Sequence, residues 1–141
     1  MEPGKPEFNY LPFKVHNEVV YLAGQLAKER GAVRKTGQVL KEITEFEASR
    51  QIEICSQHAF SWLQIAAENN NSEIDSILDL KVYVSCDRSF EGISRLADKA
   101  SEVFIEKLGE KGKHPRSVLA VLRLPQNAPV MIDLRASIKL K

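Results

Sequence analysis

The chain has 141 residues, 43% of them hydrophobic and 28% charged, with 20 basic and 19 acidic side chains giving a net charge of +1. That length fits one domain, spanning 1–141, with a real core, and the composition excludes disordered and fibrous classes. The balanced charge leaves no global field to draw the protein towards nucleic acid or an anionic membrane surface.

Residues Met1 to Lys14 mix Glu2, Pro3, Lys5, Pro6 and Glu7 and lack the continuous apolar stretch of a signal peptide. Val19 to Ala23 is a short β-prone apolar run closed by Gly24, which predicts a strand buried on both faces or nearly so. Lys28 to Thr36 is charged, holds Gly31 and reads as a solvated hairpin or loop without a phosphate-cradling glycine pattern. Thr44-Glu45-Phe46-Glu47 has the form of a capping box, so a helix starts there. Ala48, Ile52, Cys55, Ala59, Trp62, Leu63 and Ala66 then recur at steps of three and four until Asn69-Asn70-Asn71 ends the stripe. His58 lies beside that stripe and reads as a helix-surface or boundary residue.

Leu78, Leu80, Val82 and Val84 alternate with polar neighbours, the period-two pattern of a strand with one face on the core. Phe90, Ile93, Ala97, Ala100, Phe104 and Leu108 return to helical spacing, and Gly109 can close that helix in a left-handed conformation. Lys99, Glu102, Glu106 and Lys107 form its solvated polar face. Val118 to Leu122 is apolar throughout and predicts an interior strand. Val130, Ile132, Leu134, Ala136, Ile138 and Leu140 alternate strictly with Met131, Asp133, Arg135, Ser137 and Lys139, a clear half-buried strand. The economical assembly is an α+β domain in which one sheet is covered on one face by two long helices. The other sheet face, carrying Met131 and Asp133, invites self-association.

No segment approaches membrane-spanning length. Cys55 and Cys86 lack the paired spacing of a zinc or redox site and read as small buried hydrophobes. Reduced cysteines without an export signal lead us to expect a cytoplasmic protein. His-Glu-x-x-His, Gly-x-Ser-x-Gly, P-loop and dinucleotide-binding patterns are missing, and His16, His58 and His114 have no ligand spacing, so no metal site is predicted. In His114-Pro115-Arg116-Ser117, Pro115 fixes the backbone before a strand and places Arg116 where a sheet begins. An arginine there can grip a carboxylate through two parallel hydrogen bonds. Spacing alone favours a structural arginine, solvated or paired with Asp or Glu. Leu124-Pro125-Gln126-Asn127 reads as a tight turn between strands.

Pro-Arg-Ser, an apolar strand, Leu-Pro and an alternating strand, here 115 to 133, resemble the carboxyl-terminal signature of the Rid family, also called YjgF or L-PSP. Leu22-Ala23-Gly24-Gln25 resembles that family's first-strand Ser-Gly-Gln, and Thr36-Gly37-Gln38 its following loop. The resemblance runs in order from about Asn9 to Ile138 and points to a divergent branch. It implies a chorismate-mutase-like fold, one mixed sheet, a homotrimer with three clefts between subunits, and no metal or organic cofactor. In the deaminase branch the arginine matching Arg116 holds the carboxylate of a 2-imino or 2-enamino acid while water attacks the imine carbon, releasing ammonia and a 2-keto acid. By the same alignment Tyr10 falls at a pocket tyrosine, Gly24 at a glycine whose backbone lines the cleft, and Asp98 near a pocket asparagine across an insertion.

Two departures bear on turnover. The glutamate that the resemblance places near the attacking water is Met131, and the serine before Gly24 is Ala23. Asp133 lies two residues beyond Met131, about 6 to 7 Å along the same strand face. The leading expectation is an imine deaminase acting on a small carboxylate, the second a non-catalytic trimeric binder or sensor. An endoribonuclease or translation inhibitor ranks lower, because no basic stripe interleaved with aromatics accompanies the balanced charge. A chorismate mutase rests on fold analogy alone.

Overall fold

A computed structural model describes residues 3–141; Met1 and Glu2, part of the amino-terminal stretch read above as lacking an export signal, lie outside the described residues. Strands β1 (Phe13–His16) and β2 (Val19–Leu22) form a hairpin. Its turn residues Asn17 and Glu18 both have positive φ, 49° and 65°, the handedness that matches strand twist in a two-residue turn. Strand β1 has no signature in the sequence, since Phe13-Lys14-Val15-His16 offers too few residues to establish a period. In β2 Val20 and Leu22 are buried but Tyr21 is 43% exposed, correcting the expectation of burial on both faces. A small hairpin follows, β3 (Lys28–Glu29) with β4 (Ala32–Val33), turning at Arg30-Gly31.

Helix α1 (Glu45–Asn69) begins at the predicted capping box. The Glu47 amide donates to Thr44 Oγ1 at 3.1 Å and the Thr44 amide donates to Glu47 Oε1 at 3.0 Å, satisfying two free donors of the first turn. The predicted apolar stripe is buried along its whole length. His58 is also buried, deeper than a helix-surface or boundary residue: it sits one step beside the stripe, bonded to Lys28 of the β3–β4 hairpin.

Strand β5 (Ser72–Ser85) is longer than the alternation indicated. Its pairing shifts register twice, between Ile74 and Ser76 and between Ile77 and Asp79. Asp75 and Leu78 are therefore the extra residues of β-bulges, and Leu78, predicted on the core face, is exposed while Ile77 is buried. Helix α2 (Ile93–Leu108) closes at Gly109, φ 64°, and a single 3-10 turn runs over Gly109–Gly112. Strand β6 is Arg116–Val121 and strand β7 is Val130–Leu140, joined through a turn at Pro125–Asn127.

The sheet order is β1-β2-β7-β5-β6, antiparallel throughout except for the parallel β5–β6 pair. Two helices pack on one face of this mixed sheet, and Ile52, Leu63, Phe104, Leu80, Val82, Ile132 and Leu134 are fully buried between the layers. Strand β6 lies at the sheet edge, with Leu119 and, just beyond the strand, Leu122 exposed; the predicted interior strand is thus an edge strand, of which Val118 and Val121 are half-buried against the apolar clusters. Leu140, the last apolar residue of the alternation, is likewise exposed. Cys55 is buried and Cys86 half-buried, both as free thiols. Among the described residues no helix is long and apolar enough to cross a membrane.

Candidate functional site

The register of β7 creates the main cavity. Strand β2 pairs with β7 as far as Tyr21 opposite Arg135, and pairing resumes at Gln25 opposite Ile132. Four residue steps on one side therefore span three on the other, and the surplus lifts Ala23-Gly24 away from the ladder. The Gln25 amide then donates to Ile132 O at 2.6 Å, and the Ile132 amide returns a bond to Gln25 O at 3.1 Å. Beside this lifted segment is a cavity of about 780 Å³ whose wall includes Tyr10, Gly24, His58, Trp62, Met131 and Asp133. That volume lies within the range of small-molecule pockets.

Each wall residue has a local reason for its position. A Cβ on Gly24 would stand 2.8 Å from Met131 Sδ, so the methionine lies directly over the glycine. Met131 and Asp133 project from the same sheet face, two residues apart on β7. Tyr83, opposite Met131 on β5, donates its hydroxyl to Asp133 Oδ2 at 2.9 Å. Burial, together with the adjacent carboxylate, pushes the Tyr83 hydroxyl above its ordinary pKa. His58 donates from Nε2 to Lys28 O at 2.8 Å, since a carbonyl only accepts, and so ties the small hairpin to α1. His58 Nδ1 and Trp62 Nε1 are buried with no partner among the described residues. His58 and Trp62 stand one helical turn apart; that spacing was visible in the sequence, but only the fold shows that the turn borders a cavity.

Arg116 is elsewhere. It starts β6, in register with the buried Leu80, and its side chain lies on the helix side of the sheet. Nη1 donates to Asp98 Oδ1 at 2.8 Å and to Ser101 Oγ at 3.0 Å, and Nη2 donates to Ser94 O at 3.3 Å. His114 Nε2 lies 3.0 Å from the same Ser101 hydroxyl. Tyr10, Gly24 and Met131 are thus brought together, and Arg116 and Asp98 are brought together, but the second pair lies outside the cavity wall. Among the described residues no group of three or more His, Cys, Asp or Glu side chains is placed to hold a metal.

No family model matches the sequence. Protein TCP17 of Trypanosoma cruzi is 29% identical over 91% of this chain and 80% of its own length. A structure from Agrobacterium tumefaciens, of a protein with unknown function, is 29% identical and superposes with a TM-score of 0.88 over 96% of this chain and 87% of the other. The YjgF gene product of E. coli aligns over 96% of this chain and 92% of its own, with a TM-score of 0.63 at 14% identity. The chain has the YjgF/L-PSP fold. Another structure with the same fold is E. coli TdcF, solved with bound serine: TM-score 0.68, 12% identity, 96% of this chain and 92% of the other. These likenesses agree with the order of elements and with the resemblance carried by Pro115-Arg116-Ser117 and Leu124-Pro125. At the lower identities they concern the backbone, and the YjgF/L-PSP fold leaves the chemistry to the side chains of the cavity and of the Arg116 patch.

Proposed function

We propose that the chain is a cytoplasmic Rid-type imine deaminase that hydrolyses small 2-imino or 2-enamino acids to 2-keto acids and ammonia in clefts shared between copies of itself. The observation that carries this reading is the division of the site residues. One chain holds Tyr10, Gly24 and Met131 around its cavity, and holds Arg116 with Asp98 at the start of an edge strand. A sheet face without helices and a half-buried arginine on the edge strand β6 are the features expected if a second copy supplies the carboxylate anchor for this cavity. A homotrimer would contain three such clefts. The bound serine of TdcF supports a small amino-acid-like carboxylate as the ligand class.

In this reading Arg116 fixes the substrate carboxylate and the cavity receives the imine carbon and its side chain. Water adds to that carbon, the carbon–nitrogen bond breaks, and ammonia leaves. Semicarbazide trapping tests it: imino acids are generated with an amino-acid oxidase, and the protein is asked to divert them to keto acid before the trap reacts. Undiminished semicarbazone formation in its presence would defeat the deaminase. A non-catalytic trimeric binder is favoured instead by Met131 and Ala23, which put a thioether and a methyl group where the resemblance implies polar groups. Calorimetric binding of 2-keto acids without any diversion of imine would establish that second reading.

A further inference from the structure

Among the described residues, the cavity wall contains two carboxylates, Glu7 and Asp133. Glu7 stands exposed on the amino-terminal segment, whereas Asp133 is half-buried on the central strand β7 beside the lifted Ala23-Gly24 segment. Its Oδ2 accepts the Tyr83 hydroxyl at 2.9 Å, which fixes the carboxylate plane while leaving lone pairs on both oxygens. Lys5 and Lys28 line the same cavity, but among the described residues no cation forms an ion pair with Asp133. Arg135 is committed to Asp79, with Nε at 3.3 and 3.2 Å from its two oxygens, and Lys81, opposite Asp133 in register, forms no ion pair with it among the described residues. A carboxylate fixed by one hydrogen bond, with further acceptor capacity, in a wall that also holds the apolar Met131, Trp62 and Leu26 and the polar Lys28, Gln25 and His58, is arranged to accept a proton.

We infer that Asp133 is the proton-transferring group of this cavity and Tyr83 its positioning residue. The inference rests on the imine-hydrolysis reading. Water's oxygen bonds to the imine carbon as one of its protons passes through Asp133 to the nitrogen, giving a carbinolamine. The remaining hydroxyl proton follows the same route as the carbon–nitrogen bond breaks, so the carbonyl forms and ammonia departs. Neither an electron acceptor nor a covalent enzyme intermediate is required. Met131, two residues along the same face, then shapes the apolar wall and leaves the proton to Asp133.

The test measures imine diversion by the full-length protein and by Asp133→Asn, Asp133→Glu and Tyr83→Phe. Asparagine keeps the shape and still accepts the Tyr83 hydrogen bond but cannot carry the proton, so kcat should fall about 100-fold or more with KM and 2-keto acid affinity within about threefold. Asp133→Glu should recover part of the lost kcat. Tyr83→Phe should lower kcat several-fold at unchanged KM, and it keeps the test open should the asparagine variant melt early. Wild-type kcat in a folded Asp133→Asn protein would overturn the assignment while leaving the deaminase standing. A wild-type protein that diverts no imine would remove both.

Discussion

The Arg116 guanidinium reaches across from the start of β6 and donates from Nη1 to Asp98 Oδ1 on α2 at 2.8 Å. Both residues were expected to contact ligand, and here each occupies the other. The pair is asymmetric in exposure, with the Asp98 side chain 62% accessible and that of Arg116 21%, so the aspartate can swing away at little cost while the arginine stays in place. In the proposed deaminase Asp98 would therefore stand in for a carboxylate ligand. Asp98→Asn should tighten 2-keto acid binding by several-fold and change stability by less than about 1 kcal/mol. Calorimetric titration checks this; weakened binding would instead make Asp98 a residue that aims the guanidinium.

Arg116 itself gives a sharper outcome. If Arg116 anchors the ligand carboxylate, Arg116→Ala should cost about 2 to 5 kcal/mol of ligand affinity in this partly buried setting, roughly thirty-fold or more. Arg116→Lys should fail largely as well, because one ammonium cannot reproduce the planar fork. Thermal melts must accompany the titrations, since bonds to Ser94, Ser101 and Asp98 are lost too. Unchanged affinity in a folded Arg116→Ala protein would show that the arginine only fastens α2 to β6.

The contact between Gly24 and Met131 can be tested by a double-mutant cycle. A methyl group at position 24 would meet Met131 Sδ at 2.8 Å and Cε at 3.1 Å, and a methionine end can move aside. Gly24→Ala should thus cost only about 1 kcal/mol of stability while pushing the thioether into the cavity and weakening ligand binding. Met131→Ala combined with Gly24→Ala should restore binding. If the double variant binds as poorly as the single one, the glycine is needed for its backbone rather than for the space beside it.

Where the sequence was readable, the local physics was self-sufficient. The Thr44 capping box, the α1 stripe from Ala48 to Ala66 and the strict alternation from Val130 to Ile138 each state their own structure, and all three formed as read. The failures have specific causes. Asp75 and Leu78 interrupt the alternation of β5, so the strand was read short and Leu78 was placed on the wrong face. The apolar run Val118 to Leu122 carries the pattern of an interior strand, but edge position depends on the whole sheet order. Resemblance, not spacing, drew Tyr10, Gly24 and Met131 to one cavity. Spacing had offered the acid-paired Arg116, and the chain taken alone has that pairing. Trp62 and His58 carry only a helical spacing in the sequence, whereas the fold makes that part of α1 a cavity wall.

Acid sensitivity should enter through the start of α1. Hydrogen bonds from Lys35, then from the Thr44 backbone, hold the Glu47 carboxyl at about 2, below the ordinary glutamate value of 4.5. A depressed folded-state pKa contributes stability that is present above the unfolded value and lost as pH falls through the folded one. The melting temperature should therefore decline between about pH 5 and pH 2, and Glu47→Gln should flatten part of that decline while lowering stability at neutral pH. Equal slopes for the two proteins would mean that Glu47 does not contribute to the pH dependence. Asp79, held low by Arg135, should add to the same acid limb, so the Glu47 effect is read as a difference between the two curves.

Assembly is the prediction on which the shared cleft depends. Among the described residues one face of the sheet has no helix over it and presents Tyr21 and Arg135 in direct register on β2 and β7; beside them Tyr83 and Met131 pack in part against Leu26, Val33, Leu124 and Ala128 and, with Asp133, stay partly accessible. An aromatic and apolar surface of this kind, rimmed by charges, is covered in most proteins. A closed three-fold arrangement would cover it in every copy at once without exposing a new face. Light scattering at micromolar protein should give about 48 kDa, three times the 15.9 kDa of one chain. Tyr21→Glu replaces an aromatic contact of that face with a charge that must be desolvated on association, and should yield a folded monomer, because Tyr21 is 43% exposed within one chain. The monomer should also lose 2-keto acid binding although Arg116, Tyr10 and Gly24 are unaltered, since each cleft would lack the neighbouring copy's contribution. Retained affinity in a monomeric Tyr21→Glu protein would place the whole ligand site within one chain and end the shared-cleft reading; a wild-type protein that scatters as a monomer would end it sooner.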